Sequence, residues 1–130
     1  VDTRSASFPR RRRSPRGERF HCYRRDAAQL RFAAADSVDA VVMVWSLHEM
    51  DRPAAVMSEI RRVLRPGGEA LVVDFPRNSL AQRLWDEDYY RRGEVARLLE
   101  GAGLTEVRTR LIEHDQVIWA TAHEPVSGAA

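Results

Sequence analysis

A chain of 130 residues can bury the modest core of one domain, and its longest apolar run, Ala40 to Trp45, is far shorter than the roughly 20 residues of a membrane-spanning helix. The single cysteine, Cys22, excludes an intrachain disulfide and favours a reducing cytoplasm, and the N-terminus lacks the apolar stretch of a secretion signal. The formal net charge is +2, with nine Arg against two acids in residues 1–25 and twelve Arg against 17 acids in residues 26–130.

An Arg-rich segment opens the chain. Residues 1–19 combine Arg, Ser, Pro and Gly with almost no apolar side chains, which predicts a disordered tail. The run Arg10 to Arg13 is a candidate phosphate-binding arm, but no aromatic side chain interrupts it for base stacking. A solvated tail is favoured, and nucleic acid is an unlikely partner.

Two strands and a helix are predicted next. Phe20 to Tyr23 is a candidate short strand that leads to Asp26. Because Ala40 to Trp45 is apolar at every position, it is predicted as a strand buried on both faces of a parallel sheet. A helix follows, with Asp51 as N-cap and Pro53 in its first turn. Its inward face comprises Val56, Met57, Ile60, Val63 and Leu64, and its stop is Pro66-Gly67-Gly68.

The second half of the chain completes an α/β pattern. A buried strand over Ala70 to Phe75 makes a right-handed βαβ unit with the first strand. Residues 76–90 form a long loop or a short helix. The remaining predictions are a helix over Glu94 to Glu100, an antiparallel hairpin of Val107 to Ile112 with Val117 to Ala122, and a disordered end over residues 125–130.

Three segments carry a family resemblance: Asp26 to Phe32, Ser37 to Met50, and Arg61 to Gly68. In this order they resemble the class I S-adenosylmethionine-dependent methyltransferases of the methyltransferase type 11 group. That sheet has the strand order 3-2-1-4-5-7-6, and residues 20–124 would form a partial Rossmann-like domain with its strands 4, 5, 7 and 6 and flanking helices. The glycine-rich loop of strand 1 and the ribose-binding acid of strand 2 are not found.

The resemblance implies a cofactor site for S-adenosylmethionine. Asp26 would accept a hydrogen bond from the adenine amino group, and the Ala27 amide would meet the ring. Asp26 is alternatively an ordinary loop acid paired with Arg24 or Arg25. Trp45, Ser46 and Leu47 would line the floor beneath the methionine part, because ligands bind beyond the carboxyl ends of strands. Core packing is the alternative for Trp45.

The resemblance also implies an acceptor side. His48 is the candidate general base for a hydroxyl acceptor, with Glu49 behind it, although a surface or capping role is an open alternative. Trp85, Tyr89 and Tyr90 would cover the acceptor, or form only a hydrophobic lid. Asp74 has a catalytic and a structural interpretation. No metal site is predicted, because the histidines lack ligand-like spacing.

A half domain has a predicted consequence. Without strand 1, the strand over Ala40 to Trp45 would be an apolar sheet edge that pairs with another copy or a complementing chain, so a homo-oligomer is expected. Two functions stay open: S-adenosylmethionine-dependent methyl transfer to a small-molecule acceptor by an incomplete domain that needs another chain or segment, and a non-catalytic interaction module that pairs through this edge. The sequence does not name the acceptor.

Overall fold

The computed structural model describes residues 1–3 and 21–126, and its centre is one four-stranded mixed sheet. The strands are β1 (Val38–Val44), β2 (Leu64–Asp74), β3 (Thr105–Ile112) and β4 (Val117–His123), in the spatial order β1-β2-β4-β3. The helices are α1 (Pro53–Val63), α2 (Leu80–Trp85) and α3 (Arg92–Gly101), with a single 3₁₀ turn at Leu47–Glu49. This arrangement confirms the predicted partial Rossmann-like fold.

The βαβ unit is formed by β1, α1 and β2, with the two strands parallel. The N-cap of α1 is Arg52, which makes no side-chain capping bond, so the prediction of Asp51 as N-cap was wrong by one residue. Three apolar positions of the predicted inward face, Val56, Met57 and Ile60, are fully buried. The sequence thus placed the body of the helix correctly and missed its N-cap.

The Pro66-Gly67-Gly68 segment was predicted to end the helix. It lies within β2 instead. Helix α1 ends at Val63, and Leu64 is already extended. The Gly67 N–H donates to the Glu124 carbonyl, and the Glu124 N–H donates to the Gly68 carbonyl. Gly67 has φ +78°, and a Cβ on Gly68 would lie 2.9 Å from the Arg65 carbonyl oxygen, so both positions favour glycine. The glycines therefore extend the sheet.

The antiparallel hairpin is confirmed. Strand β4 pairs with β2 on one side and with β3 on the other. Glu113, His114 and Asp115 form the turn, and all three have positive φ. Strand β4 therefore lies inside the sheet, and its Ile118 and Ala120 are fully buried in the core between the sheet and the helices.

Strand β1 lies at the edge of the sheet, as expected, but it is not buried on both faces. Met43 belongs to the core, whereas Val42 is 61% exposed and Val44 is 46% exposed. The side chains of a strand alternate between faces, so one face of β1 is packed and the other is open among the described residues. The prediction of burial on both faces was wrong.

The hydrogen-bonding edge of β1 is open as well. The Trp45 N–H donates to the Val73 carbonyl of β2. In a parallel ladder every second residue bonds to the same neighbour, so Met43 also faces β2, and the N–H groups of Val42 and Val44 point to the open edge. This edge could accept another parallel strand without disturbing β2.

The segment before β1 is fastened to α1 by two charged side chains. The Leu30 N–H donates to Glu59 at 2.7 Å, and Arg62 donates to Glu59 and to the carbonyls of Leu30 and Ala33. The hydrogen bond from Arg62 holds the pKa of Glu59 below its ordinary value. This polar clamp positions the turn that begins at Asp26.

The N-terminal predictions are answered only in part. The Asp2 N–H donates to the Tyr23 carbonyl, and the Arg25 N–H donates to the Asp2 carbonyl, which makes a parallel bridge between Asp2 and Arg24. Residues 1–3 are therefore attached to the fold. Most of the predicted tail, including Arg10 to Arg13, and residues 127–130 lie outside the described residues, and Tyr23 does not lie in a regular strand.

No helix in the described part of the chain is long and apolar enough to span a membrane.

Candidate functional site

The candidate site lies where the two parallel strands end. Trp45 to His48 follow β1, and Asp74 and Phe75 end β2 directly beside them. Residues from neighbouring parallel strands meet at this edge, which is where open α/β sheets bind ligands. The sequence predicted this position mainly from the end of β1 and left the role of Asp74, at the end of β2, open between catalysis and structure.

The buried carboxylate of Asp74 fixes the loop after β1. It accepts hydrogen bonds from the backbone N–H groups of His48 at 2.9 Å and Phe75 at 2.8 Å. Its Oδ1 also lies 2.9 Å from Nδ1 of His48. A carboxylate in this setting is an acceptor, so Nδ1 of His48 carries a proton and donates to it. The geometry supports a positioning role for Asp74.

The other imidazole nitrogen of His48 faces a second carboxylate. Nε2 lies 2.9 Å from Oε2 of Glu87, while the His48 side chain is only 8% exposed and that of Glu87 is 47% exposed. Glu49 is also close, because one ligand-type atom from each of His48, Glu49 and Glu87 lies within 4.8 Å of the others. The spacing of the histidines in the sequence did not indicate this arrangement, since Glu87 comes from a distant loop.

Aromatic side chains form a wall beside His48, here called the aromatic wall: Trp45, Phe75, Trp85 and Tyr89. The Phe75 ring stacks on Trp45 at 4.3 Å between centroids, and it contacts Trp85 at 5.6 Å and Tyr89 at 5.8 Å. The Tyr89 ring lies 4.6 Å from the His48 ring. Trp45 adopts φ 54°, which turns the chain out of the strand and towards this wall.

Of the three aromatic residues predicted to cover an acceptor, two reach the wall. Trp85 is 58% exposed and ends α2, whereas Tyr89 is buried. Tyr90 is half-buried against the core instead, and its carbonyl accepts from the Arg77 N–H. Burial raises the pKa of Tyr89, and the nearby Glu87 and Asp74 carboxylates raise it further. The Tyr89 phenol is therefore neutral at physiological pH.

The residues between the wall and His48 differ in exposure. Ser46 is half-buried and precedes the 3₁₀ turn without making a side-chain cap. Leu47 is fully buried in the core. Its side chain therefore supports the loop from beneath, and only its backbone is placed for ligand contact.

Asp26 lies at the start of the turn before β1. Its Oδ1 accepts from the Ala28 N–H at 2.8 Å, and its Oδ2 pairs with Arg52 at 3.2 Å. The predicted alternative partners, Arg24 and Arg25, make no ion pair with it among the described contacts. Ala27 is half-buried against the core. Asp26 therefore already shapes its own turn, while its carboxylate stays about half exposed.

Sequence reasoning missed three residues of this region. Glu87 and Phe75 reach the site only through the fold, and no spacing in the sequence connects them to His48. Asp2 pairs with Arg24 at the end of a strand-like segment. Nothing in the spacing marks Asp2 either, since only this bridge places it beside residues 23–25.

The topology and the site together define a class of protein. A parallel β1–β2 pair followed by an antiparallel hairpin, ordered β1-β2-β4-β3, corresponds to strands 4, 5, 7 and 6 of the class I methyltransferase sheet. Ligand-type side chains lie at the carboxyl ends of the parallel strands, as that class requires.

A family model described as a methyltransferase domain matches residues 1–72. The match covers more than half of the chain, and the chain belongs to this methyltransferase family. The matched part includes Asp2, the Asp26 turn, β1 and α1. A search of curated proteins found no match.

Solved structures share the fold. An S-adenosylmethionine-dependent methyltransferase of Thermotoga maritima, described as a possible histamine N-methyltransferase, is 19% identical with TM-score 0.63, over 75% of this chain and 61% of that one. A Haloferax volcanii complex of the Trm112 activator with a methyltransferase matches at 18% identity and TM-score 0.66, over 77% and 59%.

A phosphoethanolamine N-methyltransferase of Haemonchus contortus, bound to phosphomonomethylethanolamine and S-adenosylhomocysteine, is 12% identical with TM-score 0.64, over 77% of this chain and 36% of that one. At these identities the likeness shows the fold. The chain spans about 60% of the length of the first two structures.

Proposed function

We propose that this chain contributes the acceptor side and part of the cofactor side of an S-adenosylmethionine-dependent methyltransferase for a small molecule. The observation that carries the proposal is the meeting of His48, Asp74 and the aromatic wall at the carboxyl ends of β1 and β2. Family membership supplies the reaction class. No nucleophilic side chain is needed, because methyl transfer from a sulfonium requires mainly alignment in a dry pocket.

The cofactor side of the proposal uses the turn before β1 and the loop after β1. Asp26 and Ala27 would hold the adenine, and Trp45, Ser46 and the Leu47 backbone would line the methionine part. The half-exposed Asp26 carboxylate supports this assignment, because it can accept from an amine while it shapes its turn. The H. contortus relative carries S-adenosylhomocysteine.

We also propose Asp2 as the ribose-binding acid of strand 2, which the sequence pattern did not identify. It lies on a segment parallel to residues 23–25, one strand position from the Asp26 turn. The family places such an acid at the end of strand 2, next to strand 3. The position of Asp2 supports this role, because the bridge to Arg24 brings Asp2 near Asp26 in the same part of the fold.

The acceptor side of the proposal uses His48 as general base, with Glu49 beside it. Asp74 holds Nδ1, so Nε2, which lies 2.9 Å from the partly exposed Glu87 carboxylate, is the nitrogen proposed to act as base when Glu87 turns aside. Trp85 and Tyr89 would cover the acceptor, and Tyr90 would support them from the core. A hydroxyl or weakly acidic carbon acceptor needs such a base, whereas an amine does not.

A second candidate function is a non-catalytic interaction module. It is favoured by the open edge of β1 among the described residues and by the exposed Val42 and Val44. Under either function the edge is proposed to pair with a second copy, a complementing chain or another segment. Binding of S-adenosylmethionine or its product distinguishes the two functions, because only a methyltransferase needs this cofactor.

The test is a calorimetric titration with S-adenosylhomocysteine. Saturable binding is expected, and Asp26→Asn should weaken it strongly, because the amide can keep the bond to Ala28 but presents a donor to the adenine amine. Arg52→Ala removes the ion-pair partner and leaves the acceptor, so binding should persist. Absence of binding by the folded wild-type chain would favour the interaction module.

A further inference from the structure

We infer that His48, Glu49 and Glu87 form a binding site for one divalent transition-metal ion, Mn²⁺ or Zn²⁺. The site goes beyond methyl transfer and does not depend on it. Its three ligands come from the 3₁₀ turn after β1 and from the loop after α2. They converge at the same edge of the sheet as the proposed acceptor side.

The first step is the direction of the two ring nitrogens of His48. Nδ1 lies 2.9 Å from Oδ1 of the buried Asp74, which also accepts from two backbone N–H groups, so this nitrogen is turned into the protein. Nε2 points the other way and lies 2.9 Å from Oε2 of Glu87. Nε2 is therefore the ring nitrogen that a metal ion can share with Glu87, in place of the proton of a hydrogen bond.

The second step is the spacing. Nitrogen and carboxylate ligands lie about 2.0 to 2.2 Å from such an ion, so two ligands at right angles lie about 3 Å apart and two opposite ligands about 4.3 Å apart. The Nε2–Oε2 distance of 2.9 Å fits the first case. The carboxylate of Glu49 completes the set, with one ligand-type atom of each residue within 4.8 Å of the others. Binding of one shared ion requires the exposed Glu49 or Glu87 side chain to move closer than this.

The third step is the support around the ligands. A metal-binding histidine commonly donates its second N–H to a carboxylate, which fixes the ring and raises its basicity. Asp74 does this for His48 and is itself held by backbone donors. The His48 side chain is almost fully buried, so its orientation is fixed before any ion binds.

The ligand set selects the kind of ion and leaves room for a further ligand. One imidazole nitrogen with two carboxylates suits Mn²⁺ or Zn²⁺, whereas Ca²⁺ and Mg²⁺ prefer oxygen ligands alone. Glu49 and Glu87 are exposed, so the open positions face solvent beside the aromatic wall. A small molecule with a hydroxyl or carboxylate could bind there. When the ion is bound, Nε2 is a ligand and cannot accept a proton.

The experiment is a calorimetric titration of the chelator-treated chain with Mn²⁺, followed by electron paramagnetic resonance to detect the nitrogen ligand. One-to-one binding is expected. Glu87→Gln and His48→Gln should each weaken it at least about tenfold, and Asp74→Asn about 10- to 100-fold. Glu100→Gln and His114→Gln are matched controls on exposed positions and should bind as wild type does.

Two results would overturn the site. One is the absence of saturable Mn²⁺ and Zn²⁺ binding by the folded chain, which would mean that a proton lies between Nε2 and Glu87. The other is equal affinity in Glu87→Gln, a partly exposed position whose substitution should not unfold the chain. Binding of S-adenosylhomocysteine with and without chelator separates this outcome from a failure of the proposed methyltransferase.

Discussion

The two sides of the sheet have similar apolar composition and very different burial. In β4, which has a strand on each side, every residue from Val117 to His123 is buried or half-buried, on both faces of the strand. In β1, which has a partner only on the β2 side, Val42 is 61% exposed on the face where its β4 counterpart Thr121 is half-buried. An apolar strand is therefore not a buried strand unless its neighbours are present, and β1 has the composition of a strand with neighbours that the described residues do not supply.

The same contrast applies to the candidate site. The acceptor side rests on the complete part of the sheet, where Asp74 and Tyr89 are buried and His48 has a partner on each ring nitrogen. The cofactor side lies along the open edge, where Trp45 and the Asp26 carboxylate are partly exposed. We therefore expect the acceptor side to be rigid in this chain and the cofactor side to depend on what covers β1.

The largest expected difference is in stability. Ile118→Ala should lower the free energy of unfolding by about 2 to 5 kcal/mol, because it leaves a cavity in the packed side. Val42→Ala should change it by less than about 0.5 kcal/mol if the open face of β1 is free in solution. Urea unfolding followed by circular dichroism measures both. A large loss for Val42→Ala would show that a partner covers this face.

Proline substitutions test the proposed pairing of the β1 edge. Val42→Pro removes an N–H that points away from β2, so the fold should persist while any assembly through the edge dissociates. Met43→Pro removes an N–H that faces β2 and should destabilise the fold itself. Light scattering gives the oligomeric state. A wild-type chain that is a folded monomer, with Val42→Pro unchanged, would contradict the pairing.

A smaller effect is expected at the clamp that fastens the Asp26 turn to α1. The lowered pKa of Glu59 means that its carboxylate stabilises the folded state above the unfolded value of about 4.3, and that this contribution is lost as the pH falls through the folded pKa. Glu59→Gln should therefore be less stable than wild type at pH 7 and closer to it at pH 3.

Thermal unfolding at both pH values measures this difference. Glu100→Gln is the control, because that helix residue is exposed and its removal should have little effect at either pH. If the difference for Glu59→Gln is the same at pH 7 and pH 3, the clamp does not act through the carboxylate charge.

The smallest effect is expected at the aromatic wall. Trp85→Ala should cost less than about 1 kcal/mol, because the ring is mostly exposed and its contact with Phe75 is an aromatic pair. Leu84→Ala, an exposed neighbour in α2, should cost almost nothing. The difference in urea unfolding reports the contact. Equal losses of unfolding free energy for Trp85→Ala and Leu84→Ala would mean that Trp85 does not contact Phe75 in solution.

The fold could be predicted further than the site. Helical spacing of Val56, Met57 and Ile60 and the run Ala70 to Phe75 gave the βαβ unit, because local periodicity records which face is buried. The end of α1 was misplaced, because the pairing of Gly67 with Glu124 comes from a segment far away in the sequence.

The site follows the same rule. His48 and Trp45 were found because they follow a strand directly. Glu87 and Phe75 were missed, because only the fold brings them to His48, and burial of β1 on both faces was predicted because composition does not show whether a neighbour is present. The role of each residue in binding a cofactor stays a prediction.

The claim that the cofactor binds along the β1 edge is tested most directly by amide nuclear magnetic resonance of the chain during titration with S-adenosylhomocysteine. The amide signals of Ala28, Trp45 and Ser46, on the open side, should shift with ligand concentration. Those of Thr109 and Ala120, in the β3–β4 hairpin, should not. Signals that stay unchanged throughout, or that shift only in the hairpin, would contradict the placement of the cofactor along the β1 edge.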